Sequence, residues 1–522
     1  MARIIVIGAG HNGLVCANYL SRAGHSVQVF EQSRYLGGAA RSDSTTFPGY
    51  TLSTFSYVCS LFLEKIVDDL DLRHHGYEIL KRDPAFFKPL PDGRFLLLGG
   101  DKAENARQIG KFSIRDAQMF PQFSEAYGVL GEFFEKFLLE TPPRMPPRSV
   151  GDIGKWLKAT GRTLSLGPRA DARLLDLFVS DARTIVSRWF ESDVVRSAAL
   201  PDSTVGSLQL SGPLLILHNS MGEAAGERGV WGFHRGGMGG ISAALASAGS
   251  ERGVEVVLNE PVRSIHINQN GVAIGVRLAS GENVYADIVV SNATPHETFM
   301  RLVPRGECPP AYAKRIESDD YASGVMKVNV ILSGLPKFKA LDGVDDPTQY
   351  LRGTIHISPS TAYIERALED ALCGVPSERP MMEITIPSLV DETLAPAGHH
   401  VMGIFVQYAP YHLREGEWTD ERKRQYFAKN VLGALRPYVS NIDEILIGAQ
   451  VLSPVDLYRE LRLTGGNIFH GALTPRQLYC FRHPYRTPIP NLWLCGAGTH
   501  PGGGVMGACG HNAAREIIRS LA

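Results

Sequence analysis

The sequence predicts an α/β protein in which a Rossmann-type dinucleotide-binding domain is joined to a second domain of mixed β-sheet and helices. Three observations carry this expectation. RIIVIGAGHNGLVCANYL, residues 3–20, sets glycines 8, 10 and 13 directly after an unbroken apolar run. NLWLCGAGTHPGGGVMGACGHNAAREIIRSLA, at the other end, repeats the order strand, glycine-rich turn, helix. Between them, residues 310–460 carry short apolar runs with strand periodicity, as in VMKVNVILSG and MMEITIPSLV.

At the N-terminus, Ile4, Ile5, Val6 and Ile7 are β-branched and uninterrupted, as a strand buried on both faces of a parallel sheet requires. Gly8 permits a tight turn and Gly10 a close approach of backbone to a pyrophosphate. Gly13 lets the next helix, expected from Asn12 to Arg22, pack against the strand with its N-terminal amides aimed at the phosphates. Gly24 ends that helix, HSVQVFE forms a second strand, and Glu31 stands at its tip. A carboxylate there accepts hydrogen bonds from ribose hydroxyls and repels a 2′-phosphate. RYLGGAARSDS, 34–44, adds a glycine pair at 37 and 38, with Arg41 behind it to balance phosphate charge.

Residues 101–229 read as a helical insertion, broken by the four prolines of TPPRMPPRS. AQMFPQFSEAYGVLGEFFEKFLLE and DARLLDLFVSDARTIVSRWFES are its amphipathic stretches, with aromatic stripes assigned to core packing. Glycines 236, 237, 239 and 240 resemble a second phosphate loop, but no acid follows at a strand tip. They are expected to form a tight loop whose helix rejoins the first domain. VYADIVVSNATP supplies another buried strand. In VMKVNVILSG, Met326, Val328, Val330 and Leu332 share one face and Lys327 and Asn329 the other. The uncharged, aromatic stretch FPGYTLSTFSYVCSLF, 47–62, suits either core or the wall of a substrate site.

Composition narrows the function classes. With 53 basic and 54 acidic residues, nothing marks a nucleic-acid footprint. The seven cysteines are scattered and never form CxxC, which excludes a disulfide framework, a zinc site and a redox dithiol, and points to a reducing compartment. The histidine pairs 74–75 and 399–400 lack acidic or thiolate partners, so no metal site is expected. The first strand begins at Ala2 or Arg3 and no apolar run nears 18 residues. A cytoplasmic protein is therefore expected, with peripheral membrane contact left open. A nicotinamide dinucleotide closes within one Rossmann half. A second glycine-rich contact about 480 residues later points instead to FAD with its bulkier ring system.

Taken together, VIGAGHNGL, Glu31, LGGAARS, FPGYTLSTFSYV, GGMGGIS, ADIVVSNATP and LCGAGTHPGGGVMGACGHNAA resemble the FAD-dependent phytoene desaturase-like flavoproteins of the amine-oxidase superfamily, nearly end to end. GGNIFHGAL and RTPIPNLWLCGAGTHPGGGV resemble one subgroup of it in particular, that of pyridine nucleotide-disulfide oxidoreductase domain-containing protein 2. The subgroup name promises a redox disulfide, and this sequence has no CxxC to supply one.

The resemblance implies that Gly8, Gly10 and Gly13 hold the pyrophosphate and Glu31 the adenosine ribose. It sets Gly38 and Arg41 near the pyrophosphate and the flavin-side linker, and the backbone of Val262 against adenine. Gly498, Gly503 and Val505 would approach the ribityl chain and the flavin. His470 and His500, in glycine-rich loops at family motifs, are the candidates for acid–base chemistry. The implied organisation is a discontinuous FAD-binding domain, 1–100, 230–310 and 480–522, with 101–229 and 311–479 forming the substrate domain. The implied activity is an oxidoreductase of desaturase or dehydrogenase type, transferring hydride from an apolar, unsaturated or polyene-like substrate to flavin. Electrons would leave to oxygen, a quinone or another apolar acceptor. The alternatives are an amine or amino-acid oxidase, whose polar anchor cannot be located in the sequence, and a weakly active flavoprotein that mainly binds partners.

Overall fold

The structure, a computed structural model, describes residues 1–147, 149–211, 221–224, 227–228 and 230–522. The β-branched run Arg3–Ile7 is the central strand of a five-stranded sheet. The spatial order is Glu255–Val257, Ser26–Phe30, Arg3–Ile7, Ile288–Ser291, Leu492–Leu494, and every neighbouring pair is parallel. Ile4 and Val6 point into one core, beneath helices His11–Arg22, Gly239–Glu251 and Ala508–Leu521. Ile5 and Ile7 point into the other, beneath the antiparallel sheet of Val262–Ile267, Ala273–Leu278 and Asn283–Tyr285. Burial on both faces is why this strand reads as a continuous apolar run.

The chain termini meet here as expected. Helix His11–Arg22 packs against Ala508–Leu521 so closely that a Cβ on Gly510 would overlap the Asn12 carbonyl oxygen. The 236–240 loop leads into Gly239–Glu251, and Asn18 Nδ2 donates to the Leu245 carbonyl at 2.9 Å. That loop therefore serves helix packing in the first unit, as read from its missing acid.

The second sheet has seven strands: Leu446–Leu452, Val325–Leu332, His400–Gln407, Met381–Thr385, Thr354–Ile357, Phe86–Pro89 and Phe95–Leu98. All its pairs are antiparallel except Thr354–Ile357 with Phe86–Pro89. Met326, Val328, Val330 and Leu332 enter a core with Val431, Leu435 and Val439, leaving Lys327 and Asn329 on the opposite face. That face is buried too, so its polar residues look onto protein.

Two expectations change. Strands Phe86–Pro89 and Phe95–Leu98, included in the 1–100 segment of the first domain, extend the seven-stranded sheet, because Phe87 packs into its core with Met326, Val328 and Ile355, and Phe95 and Leu97 pack against that core. The stretch 171–192 forms two helices, Pro168–Val179 and Ala182–Trp189, because Asp181 caps the second by accepting from the Thr184 amide at 2.7 Å. Elsewhere in the insertion, Phe123, Tyr127, Trp189 and Phe190 interlock as core aromatics. The end of the insertion, 212–220 with 225–226 and 229, lies outside the described residues. Among the described residues, no helix is long and apolar enough to cross a membrane.

Candidate functional site

Helix His11–Arg22 starts at Gly10, whose extended backbone (φ −67°, ψ 160°) and missing side chain leave the first-turn amides uncapped by the protein. Behind it, a Cβ on Gly13 would overlap the Gly8 carbonyl oxygen, and Gly8 itself has φ +94°. The uncapped end faces a cleft of about 260 Å³ lined by Gly8, Gly10, Glu31, Gly38, Arg41 and Val262. Six of the expected cofactor residues thus come together there, and Gly13 stands immediately behind them. Glu31 is buried, accepting from the Ala9 amide at 2.7 Å and the Ser33 amide at 2.9 Å. Burial pushes its pKa up, while those amides and Arg41 pull it back down. Arg41 pairs with Glu460 at 2.8 Å and lies over the rings of Tyr35 and Phe55, with its Nε unpartnered. A cleft with uncapped amides, a buried acid and an unsatisfied guanidinium nitrogen fits a pyrophosphate joined to a ribose.

A second cavity of about 300 Å³ adjoins the cleft, and both are lined by His11, Ala39, Leu461, Leu463 and His470. An extended ligand with one polar and one flat apolar half fits this pair of spaces. The second cavity is walled by Phe55, Tyr57, Val58 and Leu61, then by Ile468, Phe469, Gly504 and Val505. The 47–62 stretch is therefore cavity wall as well as core. Polar side chains form one end: Tyr57, Arg82, Lys327, Thr354, His356 and Glu383. Strand register produces much of this cluster, since Lys327 pairs with Phe405, Phe405 with Glu383, and Glu383 with His356. Sequence reasoning missed Arg82, His356 and Glu383, although TIHI and MMEIT each place one polar residue inside an apolar strand.

The remaining expected residues separate. His470 lies where the two cavities join, with φ +56° and Nδ1 unpartnered; burial, then Arg482 and His11, pull its pKa down to about 3, so the ring is neutral. His500 faces a different cavity, between 141–155 and 479–488, and its Nε2 lies 2.8 Å from the Phe137 carbonyl. The structure does not bring it to the cleft, because the loop is pinned by Tyr485 donating to the His500 carbonyl at 2.6 Å. Gly498 and Gly503 line neither main cavity: a Cβ there would overlap Pro295 and the Phe469 backbone, respectively. Both are close-packing glycines, whereas Val505 does line the apolar cavity.

All seven cysteines are free, and no His, Cys, Asp and Glu cluster among the described residues could hold a metal. Comparison with known proteins identifies the family. The family described as flavin containing amine oxidoreductase matches residues 13–518. The rat pyridine nucleotide-disulfide oxidoreductase domain-containing protein 2 is 38% identical, over 99% of this chain and 93% of its own length. The hydroxyneurosporene desaturase of Cereibacter sphaeroides is 26% identical, over 100% of this chain and 98% of its own. The solved structure of an oxidoreductase from Methanosarcina mazei shares the fold, with TM-score 0.60 and 16% identity over 99% and 100% of the two chains. This chain belongs to the flavin containing amine oxidoreductase family and is an FAD-dependent oxidoreductase.

Proposed function

We propose that the protein removes hydride from a C–H bond of an apolar, unsaturated molecule, as a desaturase or dehydrogenase. The observation that carries this reading is the apolar cavity beside the nucleotide cleft, with His470 lining both. In this reading the first-turn amides beside Gly10 hold the pyrophosphate with Gly8, Gly13, Gly38 and Arg41. Glu31 holds the ribose, Val262 meets adenine, and Val505 borders the flavin. Bound FAD supplies the two-electron acceptor.

The chain supplies the rest. Phe55, Val58, Leu61, Ile468 and Phe469 exclude water and orient the substrate chain. His470, kept neutral by burial, offers Nδ1 as a hydrogen-bond partner at the junction. The Cereibacter relative, a hydroxyneurosporene desaturase, supports the substrate class. The cofactor-binding unit is then discontinuous, with 86–98 assigned to the substrate side. Electrons leave to oxygen, a quinone or another apolar acceptor. The test is anaerobic mixing of the purified yellow protein with an apolar lipid extract, followed by fractionation of whatever bleaches the visible flavin band. Bleaching by an unsaturated apolar fraction is expected. Bleaching only by polar amines would replace this reading with an amine oxidase.

A further inference from the structure

We propose that the apolar cavity takes an amphipathic substrate, an apolar chain ending in a carboxylate, and that Arg82 holds the carboxylate. This rests on the cavity being the substrate site, as argued above, and names what the substrate carries at its far end.

The polar end of the cavity is poorly explained by a pure hydrocarbon. Arg82 is buried, 8% exposed, and lines the cavity with Tyr57, Thr354, His356 and Glu383. Its guanidinium donates to the Thr354 hydroxyl and lies 5.8 Å over the Trp231 ring, while its Nε has no partner. His356 Nδ1 and Glu383 Oε1 are unpartnered as well, and both residues are 5% exposed. Buried polar atoms left unmet are costly, and three of them around one cavity mark a place where ligand atoms complete the hydrogen bonding. The residues that carry the unmet atoms line the same enclosed space as the apolar walls, so a single molecule with one apolar and one polar part suits both.

The sign of the head group follows from which charge survives burial. Arginine keeps its proton: burial lowers Arg82 only to about 10, and it stays cationic at neutral pH. Glu383, which would attract an ammonium head, already accepts the Tyr57 hydroxyl at 2.7 Å, and burial pushes it toward the neutral acid. Asp202 also lines the cavity, and it and Glu383 both favour the charged form of Arg82. Lys327, in the same cavity, is drawn down to about 7 by burial and adds positive charge below that pH. A carboxylate meets Arg82 through a planar, charge-assisted fork that a hydroxyl or an amine cannot reproduce.

The test titrates the flavin-loaded protein at neutral pH with decanoate, 1-decanol and decylamine, reading perturbation of the flavin spectrum and, separately, binding heat. Decanoate is expected to bind at least ~10-fold more tightly than either other probe, the discrimination of one charge-assisted contact. Arg82→Gln, with flavin content verified, should lose that preference while still binding 1-decanol, and Arg82→Lys should keep part of it. Equal binding of the three probes, or tightest binding by decylamine, overturns the carboxylate proposal and leaves the cavity reading intact. Failure of all three to bind overturns both together. Because the wild-type comparison needs no variant, a misfolded Arg82→Gln protein would not rescue the idea.

Discussion

Tyr57 donates its hydroxyl to Oε2 of Glu383 at 2.7 Å, tying the uncharged 47–62 stretch to the middle of the seven-stranded sheet across 326 positions of sequence. The bond closes one side of the apolar cavity and fixes the only donor that meets this carboxyl oxygen among the described hydrogen bonds. Tyr57→Phe keeps the ring and deletes the donor. It should cost about 1–3 kcal/mol in urea unfolding, as for a buried acceptor left without its donor. Flavin content at saturating FAD should stay unchanged. A stability equal to wild type would mean that water replaces the hydroxyl.

Glu31 offers a second, sharper test. Its two oxygens are held by the Ala9 and Ser33 amides, and a glutamine there brings an amide group toward one of those donors and removes the charge. Glu31→Gln should weaken FAD binding roughly 10- to 100-fold, measured by flavin fluorescence at limiting FAD. Unaltered occupancy would show that the acid only braces the turn.

The two histidines should separate in experiment as they do in space. His500→Ala removes the contact with the Phe137 carbonyl and should lower stability by about 1–3 kcal/mol, with flavin reduction by any active substrate unaffected. His470→Asn preserves a side chain that tolerates the positive φ at this position and should change the flavin reduction rate with little loss of stability. Because burial holds His470 near 3, the rate between about pH 5 and 9 should show no ionisation that His470→Asn abolishes.

Lys327 makes stability depend on pH. Burial lowers its folded pKa from 10.5 to about 7. Between those values the unfolded chain holds the extra proton, so this residue destabilises the fold more and more as pH falls from 10.5 toward 7, and by a constant amount below. Lys327→Met should therefore stabilise the protein on the order of 3–5 kcal/mol near pH 6 and hardly at all near pH 10. Melting curves at both pH values check the sign. A gain that is larger in alkali would place a charged partner for the ammonium beyond the Asn329 carboxamide oxygen, to which it already donates.

The electron source is testable without any variant. Only residues 3–31 form a complete nucleotide fingerprint, the 236–240 loop serves helix packing, and the cysteines are free and lack CxxC spacing. Anaerobic addition of NADH or NADPH should leave the visible flavin band unbleached. Rapid, saturable bleaching by either nucleotide would point to a reductase running the reaction in reverse.

The cleft beside Gly10 was legible because its physics is local. A β-branched run, a turn that only glycine permits and an acid at the next strand tip lie within residues 3–31, and neighbours along the chain remain neighbours in space. The face split of Val325–Leu332 was legible for the same reason, since strand side chains alternate whatever the strand packs against. Tertiary structure decided what depends on distant register. His356, Glu383 and Lys327 converge only through pairing of four strands, and Arg82 joins them from a segment that the sequence assigned near another sheet. His470 and His500 stand in equally glycine-rich loops, yet one reaches the junction of two cavities while a carbonyl 363 positions away claims the other. A motif fixes the backbone of its own loop, but the direction in which a side chain spends its hydrogen bonds is set by whichever element folds against it.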